Sequence, residues 1–196
     1  MISNSYCKIY DDISISKIIS CDLGIFRNNF SVNFYDTYDE WCKFLNKSFI
    51  DKLRNAGPLD RLMVFNKPNN WVNQSAHIDG DKIAAINLVY CHASVNKFYK
   101  KSYMEWFKVV NYKPKNIMMS NANTPYLNYE PDEIELVFRE CLDNKLSLVR
   151  VDVPHRIKIG FGHRTCFSLR YKKKFANWNE AVDFFDNNLN EILKDF

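Results

Sequence analysis

The sequence predicts a mainly β (α+β) chain: a jelly roll or β-sandwich core with flanking helices. Three observations carry that expectation. An amphipathic helical run lies near each end of the chain; short apolar, β-branched segments follow one another closely between them; and turn residues, not further helices, separate those segments. At 196 residues, 46% hydrophobic and 15% aromatic, the chain is long enough to bury a real core and too apolar to be disordered. With no internal repeat or low-complexity linker it reads as one domain. Residues 1–60 form an N-terminal helical support, residues 61–172 the jelly-roll core, and residues 173–196 a C-terminal helix.

In chain order, Thr37–Gly57 (TYDEWCKFLNKSFIDKLRNAG) predicts one helix. Thr37 or Asp39 caps it, Trp41, Phe44, Leu45, Phe49 and Leu53 recur at helical spacing, and Gly57-Pro58 ends it. Arg61–Asn66, Lys82–Tyr90 and Met104–Val110 predict strands. A long loop carrying Pro114, Pro125 and Pro131 precedes Glu133–Cys141, where Ile134, Leu136 and Phe138 alternate with charged neighbours; strand is favoured there and helix stays open. Leu146–Val153, His155–Phe161 and Arg164–Tyr171 are further strands, punctuated by Pro154, Gly160 and Gly162. Asn177–Phe196 is an amphipathic helix capped by Asn177, with Glu180 three residues later.

The net charge of +4 is spread along the chain. Only YKKKF (Tyr171–Phe175) and KFYKK (Lys97–Lys101) cluster, which suits a solvated surface better than a polyanion partner. The six cysteines contain no CxxC pair, and the start, MISNSYCKIYDDISIS, does not read as a signal peptide. Reduced thiols and a cytoplasmic location are expected. No apolar run approaches the length of a membrane span.

The chemistry-bearing stretch is QSAHIDGDKIAAINLVY, residues 74–90. A plain turn accounts for Asp79-Gly80-Asp81. The sharper reading is half of a metal site: side chains two apart on an extended segment point the same way, so His77 and Asp79 can converge. A third ligand from a distant antiparallel strand would complete a triangular face and leave the opposite positions open, and His155 is the candidate. Two imidazoles and a carboxylate around open positions are the usual ligand set for oxygen-activating non-heme Fe(II).

Beyond His155, Arg164, Cys166, Ser168 and Arg170 share one strand face, and Thr165, Phe167, Leu169 and Tyr171 share the other. The arginine Cα atoms would stand about 20 Å apart, and two extended arms would leave about 7 Å between their tips. A five-carbon dicarboxylate fits that gap, gripped at its ends by planar guanidiniums.

The pattern His77-x-Asp79, a distal His155 and an arginine nine residues later, Arg164, resembles the 2-oxoglutarate/Fe(II)-dependent dioxygenases. Where that superfamily often has serine two residues after the arginine, this chain has Cys166. RTCFSLR is similar to the R-x5-R element of AlkB-type members, in which both arginines hold the cosubstrate. VFNKP places Asn66 eleven residues before His77, similar to an asparagine that touches 2-oxoglutarate in those enzymes, although their Asn-x-Tyr is here Asn66-Lys67-Pro68. The resemblance covers residues 61–172.

It implies a double-stranded β-helix core in which His77, Asp79 and His155 are the metal ligands and catalytic residues. Fe(II), 2-oxoglutarate and O2 would be required. Arg164 would anchor the C5 carboxylate of 2-oxoglutarate, with Arg170 at the C1 end or at substrate. The presence of Asp79 implies hydroxylation rather than halogenation. Asn87 and Tyr90, on the next strand, are further candidates for the pocket; alternation leaves open which face is inside. His92 and His163 are read as structural or exposed, and Trp71, Phe98, Tyr99, Tyr103, Trp106 and Tyr126 as core before substrate platform.

The favoured substrate is a small molecule or a peptidyl side chain, covered by the 53-residue stretch from Cys91 to Asp143. The alternatives are AlkB-like oxidative demethylation of nucleobases, against which the scattered basicity argues, and a non-enzymatic, cupin-like module that binds a small acid.

Overall fold

Two antiparallel sheets face each other, and helices cover the outer face of the larger one. The computed structural model describes residues 2–10, 13–26, 31–67, 75–80, 82–91, 101–120, 125–158, 160, 163–193 and 195–196. In order the strands are β1 (Ile2–Ser3), β2 (Cys7–Tyr10), β3 (Ser31–Tyr35), β4 (Leu59–Lys67), β5 (Ala76–Asp79), β6 (Ala84–Cys91), β7 (Tyr103–Val109), β8 (Met118–Met119), β9 (Pro125–Tyr129), β10 (Ile134–Glu140), β11 (Lys145–Arg150), β12 (His155–Lys158) and β13 (Arg164–Tyr171). The helices are α1 (Ile15–Ile18), α2 (Tyr38–Trp41), α3 (Lys47–Ala56) and α4 (Trp178–Leu193). The larger sheet runs β1-β2-β11-β6-β13-β4-β3 and the smaller β10-β7-β12-β5-β9-β8. This is a mainly β sandwich, as the sequence predicts.

Alternation on β13 organises both layers. Flanked by β6 and β4, it has all eight residues buried. Phe167, Leu169 and Tyr171 point outward and pack with Leu62, Val64, Ile86 and Leu88 against Trp41, Phe49, Ile50 and Leu53 of the N-terminal helices and Trp178, Ala181 and Phe185 of α4. Burying side chains of this size contributes about 1.5–3 kcal/mol each, so this layer carries much of the stability. Between the sheets, Ile9, Val89, Met104, Val149 and Cys166 surround the fully buried Trp106. The Trp106 indole N–H donates to the Arg150 carbonyl (2.9 Å), tying the smaller sheet to the end of β11.

The C-terminal cap forms as expected: Asn177 Oδ1 accepts from Glu180 N at 3.0 Å, and Glu180 reaches back to Ala176 N. Thr37 and Glu40 form a reciprocal capping box at α2. The single helix expected over 37–57 is instead two, because residues 44–46 are taken by another segment. Ser20 N donates to Phe44 O, Asn46 N to Ile18 O, and Ile19 bridges Leu45. Asn46 then caps α3 through Ser48 N at 2.8 Å.

The sheets also reach beyond residues 61–172. β1, β2 and β3 belong to the larger sheet, so the N-terminal 60 residues are more than a helical support. The proline-bearing loop contributes β8 and β9 to the edge of the smaller sheet beside β5. Gly80 is needed there: its N–H donates to Pro125 O at 2.9 Å, and a Cβ would sit 3.1 Å from that same oxygen. The turn and the metal reading of His77-x-Asp79-Gly80 are therefore compatible. His92, Trp71, Phe98 and Tyr99 lie outside the described residues. No described helix is long and apolar enough to cross a membrane.

Candidate metal centre

β12 lies between β7 and β5, and in its ladder His155 stands directly opposite His77. Directly opposed residues share a sheet face, so the two imidazoles meet, with ring centroids 4.6 Å apart. Asp79, two residues along β5, shares that face, and its Oδ1 lies 3.6 Å from His77 Nε2. One ligand atom from each of His77, Asp79 and His155 can be chosen so that all lie within 4.8 Å of one another.

Each side chain is held for this arrangement. His77 Nδ1 is 3.2 Å from Ser75 O, and His155 Nδ1 is 2.9 Å from Val153 O. Backbone carbonyls at Nδ1 fix the tautomer that leaves Nε2 as the basic nitrogen, the support metal-binding histidines usually have. Burial, and then the neighbouring His77, push the His155 pKa down to about 4, so its imidazole is neutral at neutral pH. For Asp79, burial alone would raise the carboxyl pKa. The Arg170 guanidinium, with His155 and His77, more than offsets that and holds it below the usual carboxylate range. Two neutral imidazoles and an ionised carboxylate are a donor set that fits a first-row divalent ion.

The group lines a cavity of about 600 Å³ between the sheets. The larger sheet lines it with Met63, Phe65 and Lys67 of β4, Ala85 and Asn87 of β6, and Arg164, Cys166, Ser168 and Arg170 of β13. Both arginines are therefore where the alternation of β13 put them, at 3% and 7% exposure. Arg170 Nη2 is ion-paired with Asp79 Oδ2 across the sandwich. On the other side, Tyr126 and Asn128 of β9 flank the metal group, opposite Asp79 and His77 in the β5–β9 ladder. With Met119 and Ser120 they are the part of the Cys91–Asp143 stretch that meets the cavity on this side.

Two candidates fall on the wrong face. Asn66 is buried, but β4 presents Phe65 and Lys67 to the cavity, and Asn66 turns to the helix side. There its Oδ1 lies 2.7 Å from His163 Nε2 and accepts from Thr165 Oγ1 at 3.2 Å. Tyr90 likewise packs with the helix-side cluster, while Asn87 of the same strand faces inward. The parity of each strand, which the sequence leaves open, decides both. Lys67 is the residue the reading missed; its signal was position, one step from Asn66 on an alternating strand. His163 is buried on the structural face, as expected.

No protein-family model, no curated protein and no solved structure matches the chain.

Proposed function

We propose that the chain is a non-heme Fe(II) oxygenase with a double-stranded β-helix core, which uses 2-oxoglutarate and O2 to hydroxylate a small molecule or a peptidyl side chain. The observation that carries this reading is the convergence of His77, Asp79 and His155 inside a cavity that also receives Arg164 and Arg170. Carboxylate and imidazole ligands alone would suit many metals. A cationic lining in the same cavity adds a place for an acid beside the ion.

His77, Asp79 and His155 would hold the metal, whose contribution when bound is oxygen activation coupled to decarboxylation of the 2-oxo acid. One oxygen atom of O2 enters succinate and the other the product alcohol, and CO2 leaves. The chain's own residues do the rest. Arg164 binds the distal carboxylate of 2-oxoglutarate and so orients the 2-oxo end. Arg170 keeps Asp79 ionised and presents donors near the C1 end. The walls of Phe65, Met63, Met104 and Ile157 exclude water from the acid. A cavity of about 600 Å³ falls within the range of small-molecule sites and leaves room beside a five-carbon acid, which favours a small substrate or a single inserted side chain.

Anaerobic addition of Fe(II) and 2-oxoglutarate tests the reading. A weak visible charge-transfer band that needs both components and vanishes in His77→Ala supports it, as does succinate formation under air. Acid binding that is indifferent to metal, with no band, replaces it with a small-acid-binding module.

A further inference from the structure

We propose that Lys67 is a second cation of the acid-binding end of the cavity, so that the distal carboxylate of the cosubstrate is clamped between Lys67 and Arg164. The inference rests on the oxygenase reading above and adds a residue to it that no sequence motif supplies. Lys67 is the last residue of β4, only 1% exposed, and stands directly opposite Arg164 in the β4–β13 ladder. Opposed residues share a face, and both line the cavity, so ammonium and guanidinium project into the same end of it. Among the described lining residues Asp79 is the only acid, and Arg170 is already paired with it. The lining thus carries three cationic side chains and one carboxylate. The surplus lies at the Lys67–Arg164 end, away from the metal ligands, where burying two like charges side by side is costly unless an anion joins them.

The proton inventory follows from the same geometry. Burial, and then Arg164, push the Lys67 pKa from 10.5 down to about 7, with the Cys166 thiol acting slightly the other way. From the other neighbouring strand, β3 presents only Val32 and Phe34 to this part of the cavity. A carboxylate arriving between the two cations favours the protonated amine. Binding of the acid should therefore draw a proton onto Lys67 at mildly alkaline pH.

The test is isothermal titration of the Mn(II)-loaded protein with 2-oxoglutarate and, separately, with 2-oxopentanoate, which keeps the chelating end and lacks the distal carboxylate. Lys67→Met should weaken 2-oxoglutarate about tenfold or more and leave 2-oxopentanoate and Mn(II) binding unchanged; Lys67→Arg should restore most of the preference. At about pH 8, titrations in buffers of different ionisation enthalpy should show net proton uptake with 2-oxoglutarate in the wild type and none in Lys67→Arg. An unchanged preference in Lys67→Met overturns the inference while leaving the oxygenase reading intact, and so does the absence of proton uptake in the wild type, which needs no variant. Failure of the wild type to bind 2-oxoglutarate overturns both.

Discussion

Arg170, on the larger sheet, is ion-paired with Asp79, on the smaller, and both are almost fully buried. The pair ties the two layers together at the metal group. It also keeps Asp79 in the charge state a metal needs, at the cost of occupying one carboxylate oxygen. Arg170→Ala removes the cation and leaves a buried carboxylate beside two imidazoles. Breaking a buried pair in this way should destabilise the metal-free protein by about 3–5 kcal/mol. A divalent ion can take over as counter-charge, so Mn(II) should raise the melting temperature of Arg170→Ala more than that of the wild type. Thermal melts with and without Mn(II) check this, and equal metal responses would contradict it.

Arg164 has a different task, because its own strand neighbours give it no carboxylate and its side chain enters the cavity. A charge-assisted, two-pronged contact to the distal carboxylate contributes a few kcal/mol. Arg164→Ala should therefore raise the 2-oxoglutarate requirement by roughly two orders of magnitude, with Fe(II) binding nearly intact. Arg164→Lys should recover only part, since a point charge cannot reproduce the planar fork. Titrating the charge-transfer band against 2-oxoglutarate measures both. A silent Arg164→Ala beside a severe Arg170→Ala would move the acid to the Arg170 end.

Local pattern was enough for much of this. The same-face pairing of His77 with Asp79 and the polar face of β13 follow from a period of two and hold in the structure. What failed depended on long-range facts. Asn66 and Tyr90 were misplaced because alternation sorts a strand into two faces without saying which is inside. Only the packing of Val64, Leu88 and Phe167 against the helices settles it. β1, β2 and β3 were missed because short strands without a strong apolar run draw stability from pairing: Cys7–Tyr10 is a strand through its ladder with β11. β9 was missed because Pro125 and the nearby polar residues read as a loop, although Pro125 only opens an outer strand of the smaller sheet, where a missing N–H is tolerated.

The break between α2 and α3 is also testable. Asn46 both ends the crossing segment, through Ile18 O, and caps α3, through Ser48 N. Asn46→Ala removes the cap alone and should cost about 0.5–2 kcal/mol, while Asn46→Ser should cost much less. Urea denaturation gives both values. The metal group lies on the opposite side of the larger sheet from α3, so Mn(II) affinity should not change in either variant.

Lys67 makes the stability itself depend on pH in a direction that can be worked out. Its pKa is about 7 in the folded chain against 10.5 for an ordinary lysine. Below about pH 7 both states hold the proton, and the folded state bears the full cost of a buried ammonium beside Arg164. Between the two values the unfolded chain holds a proton that the folded chain has lost, so raising the pH favours folding, by up to about 1.4 kcal/mol per pH unit. Higher still, the buried thiols act oppositely: burial pushes Cys7 and Cys21 up to about 11 from 9.0, so their contribution is lost as the pH rises past the unfolded value. The clean window is therefore about pH 7 to about pH 8.5, below the thiol range. Urea denaturation across it should show the metal-free wild type gaining stability while Lys67→Met stays nearly flat. Saturating Mn(II) and 2-oxoglutarate should flatten the wild-type curve as well, because the bound acid holds the proton on Lys67 across the same interval. A wild-type gain that survives in Lys67→Met would assign the titration to another group.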